Sequence, residues 1–455
     1  MADFDAIVVG AGCAGSVAAY ELARAGKSVL MVERGNEPGS KNMTGGRLYT
    51  HALAEVFPDF ATQAPLERKI SHERISLMAP DANLTVDFSS EALTQDGQES
   101  YSVLRADFDP WLSAQAEAAG AEAIYGIAVE GLLKQGSCDC HHGCKGKDSC
   151  DCRNTHAARD DQDARITGIR AGGDEITADV VILCDGANSL LAQQAVGFKR
   201  PSAEAMAVGI KQVIGLPSSA IEERLLLQEG QGAAWLFVGD ATKGHVGGGF
   251  LYTNNTSISL GLVATIADLA RATTPLYQML EDFKAHPAVA PLIKGGKVLE
   301  HSGHLVPEGG FRQSPRLVGN GVMLAGECAM MGLNLGYMVR GMDFAIAAGM
   351  HAGRTAASAL DAGDTSAVRL LSYRHALDNS FVLRDLKEFS RFPHFMEQTT
   401  RLFNGYPALA RDVMNSLFVV DGSPQTRLRK AVMPQVRRLG YLNVLKDMRG
   451  AMKAL

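Results

Sequence analysis

Gly10, Gly12 and Gly15 stand in the spacing G-x-G-x-x-G, and an acid, Glu33, closes the next apolar run. Residue types in this pattern do phosphate and ribose chemistry. Gly12 lets backbone approach a pyrophosphate, the N-terminus of the following helix favours its charge, and a Glu33 carboxylate accepts hydrogen bonds from ribose hydroxyls. The same carboxylate repels a ribose 2′-phosphate, which argues against NADP. Further polar groups recur at later turns: Arg34 and Arg47 beside the first acid, Arg105, then Asp185 with Gly186, Gly326 with Glu327, and Asn334 with Gly336. No set of residues reads as a catalytic acid, base or nucleophile.

The elements that must position these groups are legible around them. Residues 6–9 read as a buried parallel strand, followed by a helix with Ala14, Ala18 and Leu22 on one face and Gly26 at its end. Residues 28–32 read as the next strand, leading to Glu33. In SVLRADFDPWLSAQAEAAGA, Asp109 is the expected N-cap and Pro110 the first helical residue, which places Arg105 just before the cap, where it can meet a phosphate. ADVVILCDGANSLL repeats the strand–turn pattern. NGVMLAGECAMMGLNLGYMVRGMDFAIAAGMHAGRTAASAL reads as a strand to Glu327, a glycine-bearing loop and a long helix. Gly341, Ala345, Ala348, Gly349 and Ala352 let that helix pack close to its neighbours, its N-terminus toward a flavin ring. A nicotinamide dehydrogenase has no need of this distant second element, so the expected cofactor is FAD.

A second group lies in HVGGGFLYTN. Gly247, Gly248 and Gly249 weaken a strand, which marks either close approach by a ligand or a tight corner of the sheet. His245 and Tyr252 are the candidate hydrogen-bond donors to such a ligand. A third group is Cys138, Cys140, Cys144, Cys150 and Cys152, with His141, His142 and His156, in a polar segment over 137–163. Soft thiolate and imidazole ligands suit zinc or copper. Their C-x-C spacing differs from the paired C-x-x-C of common zinc ribbons, so a metal loop and a loop with incidental thiols both remain open.

Composition bounds the class. The chain has 455 residues, enough for two or three domains, with 46% apolar and 21% charged residues. A formal charge of -6 argues against nucleic acid as a partner. No apolar run is long enough to cross a bilayer, and no leader precedes the first strand, so a cytoplasmic location is expected. Cys13, Cys184 and Cys328 are scattered in apolar runs, unlike a disulfide framework. Region GSKNMTGG lacks a cysteine pair, which excludes a thiol relay.

GSKNMTGGRLY, GAAWLF, GGGFLYTNNTSISLGLV, HLVPEGG, LNLGYMVRGMDFAIA, PHFM, VDGSP and NVLKD resemble the FixC proteins. These are bacterial relatives of electron-transfer-flavoprotein:quinone oxidoreductase within the geranylgeranyl-reductase-like superfamily. The resemblance spans nearly the whole chain outside the cysteine-rich insertion. It implies an α/β fold: a Rossmann-like FAD-binding domain of glutathione-reductase or hydroxylase type, an inserted β-sheet domain and a helical C-terminal region. The expected division gives 1–70, 101–200 and 315–365 to FAD, 71–100 and 201–314 to the β-sheet substrate or quinone domain, and 366–455 to the helices. Carried over, Gly10, Gly12, Gly15, Glu33 and Arg105 fall on FAD positions. Glu327 falls where the family has an aspartate, one methylene shorter.

The resemblance also implies partners: electron-transfer flavoprotein subunits of FixA and FixB type, a ferredoxin-like iron–sulfur subunit of FixX type, quinone, and the inner face of the cytoplasmic membrane. No cysteine follows Cys328, so the chain itself cannot ligate a C-terminal cluster. From Arg427 onward eight basic residues face one acid, Asp447, in an amphipathic stretch suited to anionic lipid or an acidic partner. Reduction of prenyl double bonds and a non-catalytic membrane-docking role are the competing expectations.

Overall fold

The apolar run at Phe4–Val9 (β1) forms the centre of a sheet, flanked in parallel by Val29–Glu33 (β2) and Asp174–Leu183. Residues 2–41, 46–135, 164–424 and 427–455 are described by this computed structural model. Glu122–Tyr125 extends the sheet beyond β2, and Val322–Leu324 extends it beyond Asp174–Leu183, both in parallel. Strands covered on both faces need continuous apolar side chains, which is why β1, β2, residues 180–183 and Val322–Leu324 are runs of Val, Ile, Leu and Met, whereas the edge strand Glu122–Tyr125 alternates. An antiparallel ribbon of Val129–Gln135 and Arg165–Ala171 leaves the sheet at Asp174–Leu183. The cysteine-rich segment connects these two ribbon strands and lies outside the described residues.

The helix Cys13–Arg24 (α1) is clamped between this sheet and a late helix. Arg105–Ala118 (α2) packs on its side, and Met342–Asp361 (α3) crosses it with fourteen of twenty residues buried. The small residues of α3 are required by distance. A Cβ on Gly349 would lie 2.1 Å from the Ala14 carbonyl oxygen, and one on Gly353 2.7 Å from that of Ala18. The expected close packing of this helix is therefore a backbone-to-backbone contact with α1.

A second, nine-stranded sheet stands against the first unit. Its order is Lys297–Pro307, Met206–Gly215, Ser257–Thr265, Gly247–Thr253, Gln231–Gly239, Lys69–Ala79, Ser100–Ser102 and Arg47–Tyr49, with Ala82–Ser89 on Lys69–Ala79. All neighbours are antiparallel except Gln231–Gly239 with Lys69–Ala79. The period of two sorts its faces. Trp235, Phe237, Leu251, Leu260 and Leu262 are buried under Met279, Leu280 and Phe283 of the Leu276–Ala285 helix. Leu236, Phe250, Tyr252 and Val263 face the other way, toward the first unit.

Helices complete the chain. Tyr373 is fully buried and donates to the Leu324 carbonyl at 2.9 Å, tying Ala367–Asn379 to the first sheet. Gly405–Phe418, Leu428–Leu439 and Tyr441–Ala454 form the tail. Asp447, the single acid from Arg427 onward, turns away from its basic neighbours. It accepts from Arg401 at 2.6 and 2.7 Å and from the Tyr406 hydroxyl at 3.0 Å, pinning Tyr441–Ala454 to the body. Among the described residues, no helix is long and apolar enough to cross a membrane.

Candidate functional site

The glycine turn is built by close approach. Gly10 has φ +102°, and a Cβ there would lie 2.4 Å from the Cys184 carbonyl oxygen; one on Gly15 would lie 1.8 Å from that of Gly10. Gly12 caps α1 with φ -84°, so its value is in lacking a side chain, not in an unusual dihedral. No side chain caps α1 and no acid occupies its first turn. Its leading N–H groups therefore retain hydrogen-bonding capacity and positive potential for an anion. Glu33 spans two backbone donors, accepting from Ala11 N–H at 2.9 Å and Gly35 N–H at 2.6 Å. That grip orients the carboxylate and leaves lone pairs for hydroxyl donors.

Charged residues around the turn are mostly paired. Arg105 is the first residue of α2, Leu104 is its cap, and Asp109 lies in the helix interior with Pro110 behind it. The expected N-cap at Asp109 is thus corrected: the acid is fully buried and binds the Arg105 guanidinium in two hydrogen bonds of 2.5 and 2.6 Å. Burial works against the guanidinium charge, but Asp109, together with Cys13 and Glu327, outweighs it and raises the Arg105 pKa. The i,i+4 pairing R-x-x-x-D was the available signal, overlooked because a D-P dipeptide reads as a helix start. Arg47 is paired with Glu73 and donates to Ser100 Oγ at 3.1 Å. Arg340 bridges Asp343 and Asp385 at 2.6 and 2.8 Å.

Asp185 is the exception. Its Oδ1 is buried without a hydrogen-bond partner, and burial pushes its carboxyl up to about 6. Glu327 does not end a strand as expected. The strand stops at Leu324, and Glu327 sits in a short 3₁₀ turn, Gly326–Ala329, 3.6 Å from His304 Nε2.

These groups share a cavity of about 510 Å³ between the two sheets, within the range of small-molecule sites. On the side of the parallel sheet it is lined by Gly10, Gly12, Glu33, Arg34 and Arg105. Asp185, Gly186, Gly326 and Glu327 lie along it, as do Asn334, Gly336 and Arg47. Gly15 lies beneath the turn, in contact with Gly10. On the opposite side Gly247, Gly248, Gly249 and Tyr252 line the same space.

The three glycines answer first to the protein itself. A Cβ would lie 2.0 Å from the Val263 carbonyl at Gly247, 2.7 Å from that of Phe237 at Gly248, and 2.7 Å from the Phe283 ring at Gly249. Tyr252 is half-buried, desolvation raises its phenol to about 12, and Gly46 lies flat against its ring. His245 is not among the residues lining the cavity. It precedes the strand, and its Nδ1 lies 3.9 Å from Asp268.

Two groups in the wall were not singled out from sequence: His304, and Glu308 in the PEGG turn. Glu308 is half-buried in the cavity wall, the Asn334 amide is the side-chain partner of its carboxyl among the described residues, and desolvation pushes it up to about 7. No spacing rule marks an isolated acid in a turn. The candidate metal ligands Cys138, Cys140, Cys144, Cys150 and Cys152 lie outside the described residues. Among the described residues, no group of His, Cys, Asp and Glu is arranged to hold a metal ion. The described cysteines Cys13, Cys184 and Cys328 carry free thiols, and burial raises the pKa of each.

The residues present fit a dinucleotide flavin: uncapped amides at a tight glycine turn on the cavity wall, a carboxylate held for hydroxyl donors, and an orphaned acceptor oxygen at Asp185. Comparison with known proteins agrees. Residues 5–212 match the FAD dependent oxidoreductase family, and residues 392–455 match the ETF-QO/FixC family C-terminal domain. The chain is 46% identical to the probable electron transfer flavoprotein-quinone oxidoreductase YdiS of Escherichia coli K12, over 98% of this chain and 97% of that one. It is 47% identical to Protein FixC of the same strain over the same shares. Its fold is similar to a geranylgeranyl bacteriochlorophyll reductase-like protein from Thermoplasma acidophilum, with TM-score 0.67, 19% identity, and 98% and 99% of the two chains covered. The flavin-dependent brominase Bmp2 shares the fold at TM-score 0.59 and 15% identity, over 96% and 99% of the chains. From this similarity, spread over nearly its full length, the chain belongs to the ETF-QO/FixC family of FAD-dependent oxidoreductases.

Proposed function

We propose that this chain carries electrons from an electron-transfer flavoprotein to a quinone, by way of FAD seated on the glycine turn. The observation that carries this reading is the continuity of the cavity. One space is lined at one side by Gly10 and Gly12 and at the other by Gly248 and Tyr252. A cofactor on the first wall and a flat acceptor on the second would be neighbours. When bound, FAD supplies the electron-carrying chemistry. The chain supplies position. The leading amides of α1, with Arg105, hold the pyrophosphate; Glu33 holds the ribose; Asp185 and Glu327 offer acceptors along the connecting chain; Tyr252 donates to a quinone oxygen.

The names of the curated relatives supply the two redox partners, and the resemblance adds FixA- and FixB-type subunits with a FixX-type ferredoxin subunit. The tail supplies a place for lipid. Leu442, Leu445, Met448 and Met452 recur at i, i+3, i+6 and i+10 of Tyr441–Ala454, all exposed, while Asp447 on the other face is buried. An apolar stripe bordered by Lys446, Arg449 and Lys453 is the pattern of a helix lying on anionic lipid.

The deciding experiment is anaerobic reduction of the flavin-loaded protein, followed by a water-soluble quinone. Rapid return of the oxidised flavin spectrum is expected. Return with a prenyl alkene, and none with quinone, would replace this reading by a prenyl reductase.

A further inference from the structure

Glu308 follows the Lys297–Pro307 strand, where the sheet wall turns toward the first unit, and its side chain lines the cavity. The Asn334 Nδ2 donates to its two carboxyl oxygens at 3.1 and 3.3 Å. Asn334 Oδ1 accepts the Gly336 N–H at 2.9 Å, and this second contact settles which way the amide points. Its NH₂ must face Glu308. A carboxyl that meets only a donor can serve there only as an acceptor. Among the described residues nothing accepts from Glu308, so a proton on it is directed to whatever fills the cavity.

Among the described residues no cation forms an ion pair with this acid or figures among the influences on it. The charged or titratable side chains lining the same cavity include His304 on its own strand, Glu327 in the Gly326–Ala329 turn, Arg340 before α3, Glu204 before Met206–Gly215 and Glu397 on Phe392–Gln398, and, from the parallel-sheet side and its loops, Glu33, Arg34, Lys41, Arg47, Arg105 and Asp185, with Tyr252 on the sheet face. His304 faces Glu327, and Arg340 is held by Asp343 and Asp385. The influences on Glu308 are burial, which raises it to about 7, and the Asn334 donor, which opposes burial. A carboxyl poised near neutrality is the state a general acid needs.

We propose that Glu308 is the catalytic proton donor to the quinone oxygen, with Asn334 as its positioning residue. The inference rests on the quinone reading above. Reduction of a quinone to its quinol takes two electrons and two protons. Two electrons and one proton come from the anionic reduced flavin, which returns to its oxidised form. The other proton leaves the Glu308 carboxyl as a new O–H bond forms on the quinone, and the carboxylate recovers a proton from water.

The test compares two acceptors on the flavin-loaded protein: a water-soluble quinone, which must be protonated, and ferricyanide, which takes electrons alone. In the wild type the ratio of quinone to ferricyanide rate should be flat at low pH and fall above pH about 7, as the donor loses its proton. Glu308→Gln keeps the volume and the acceptor oxygen toward Asn334. It should lower the ratio about 100-fold, the usual scale of general acid catalysis, and abolish its pH dependence. An infrared titration gives a readout independent of turnover. The C=O band of a protonated carboxyl should disappear between pH about 6 and 8 in the wild type and be missing in the variant. An unchanged ratio in Glu308→Gln, or no such band in the wild type, overturns the assignment. A wild type that reduces ferricyanide but no quinone at any pH overturns the quinone reading, and this inference with it.

Discussion

Two acids on opposite walls of the cavity, Asp109 and Glu308, are held in opposite ways. Behind the glycine turn, Asp109 is buried against Arg105 in a two-bond ion pair. Across the space, Glu308 is half-buried and, among the described residues, has a neutral amide, Asn334, as its side-chain partner. A paired acid is scaffolding: it fixes the guanidinium that faces the cofactor side. An acid without a cation is held near neutrality and can exchange a proton. The contrast lies between these two acids and not between whole walls, since Asp185, on the nucleotide side, is also raised, to about 6, by burial.

The largest effect should come from breaking the paired side. Asp109→Ala leaves a buried guanidinium uncompensated and should cost about 3–5 kcal/mol of stability by denaturant unfolding. Replacing both partners by apolar residues of similar volume should recover most of that loss. The exposed pair Arg170–Glu175, at a similar 2.9 Å, is the control, and Glu175→Ala should cost less than about 1 kcal/mol. Equal costs at the two sites would show that burial is not what distinguishes the nucleotide wall.

Next comes the backbone contact that sets the turn in place. Gly349→Val puts a branched side chain where the Ala14 carbonyl already sits, a clash of backbone with no flexible neighbour to yield. The loss should be about 3 kcal/mol, with flavin content falling in step. Full flavin occupancy and an unmoved unfolding midpoint would mean that α1 and α3 are not packed this closely.

The unpaired side should reveal itself through pH. Glu308 binds its proton more tightly folded, at about 7, than unfolded, near its ordinary 4.5. Between those values the folded state holds the extra proton, so stability falls as pH rises, and the loss is complete above about 7. Asp185, pushed up to about 6, adds a loss of the same sign at lower pH. Glu308→Gln should therefore narrow the stability gap between pH about 5 and 8. An identical gap in both proteins would place a cation beside Glu308 after all.

The contrast also explains what could be read from residues alone. The nucleotide wall is local: three glycines and an acid over one strand–helix–strand unit, where spacing dictates chemistry. Gly10, Gly12, Gly15 and Glu33 were legible for that reason, and so was the alanine- and glycine-rich helix that meets them. Arg105 was found but its partner misassigned, since D-P imitates a helix start and the i,i+4 pair hides behind it. The sheet wall is assembled from strands far apart in sequence. Glu308 acquires its character from Asn334, twenty-six residues later, and from burial that no motif announces. The glycines at 247–249 carried a double meaning in sequence, and their contacts with Val263, Phe237 and Phe283 show how much of it is internal to the sheet.

Membrane docking separates the tail from both walls. Leu442 and Met452 are 82% and 81% exposed, so Leu442→Asp with Met452→Asp should leave the fold intact. Binding to vesicles of anionic lipid should drop at least about tenfold, since each apolar side chain contributes on the order of 1.5–3 kcal/mol when buried. Undiminished vesicle binding would move the contact to another surface, such as the exposed Phe418, Val419 and Val420.

The smallest effect tests the sheet wall by contrasting two residues seven apart. Tyr252 lines the cavity, whereas His245 faces Asp268 outside it. Tyr252→Phe removes one hydroxyl donor and keeps the ring against Gly46. A single hydrogen bond is worth about 1 kcal/mol, so quinone reduction should slow about fivefold. His245→Ala removes a larger group yet should change that rate less than about twofold, because what it touches is the Val246 turn and not the acceptor. Both variants keep the ferricyanide rate as an internal reference. A reversed order, with His245 the more damaging, would mean that the quinone enters past the mouth of the Gly247–Thr253 strand and not along its face.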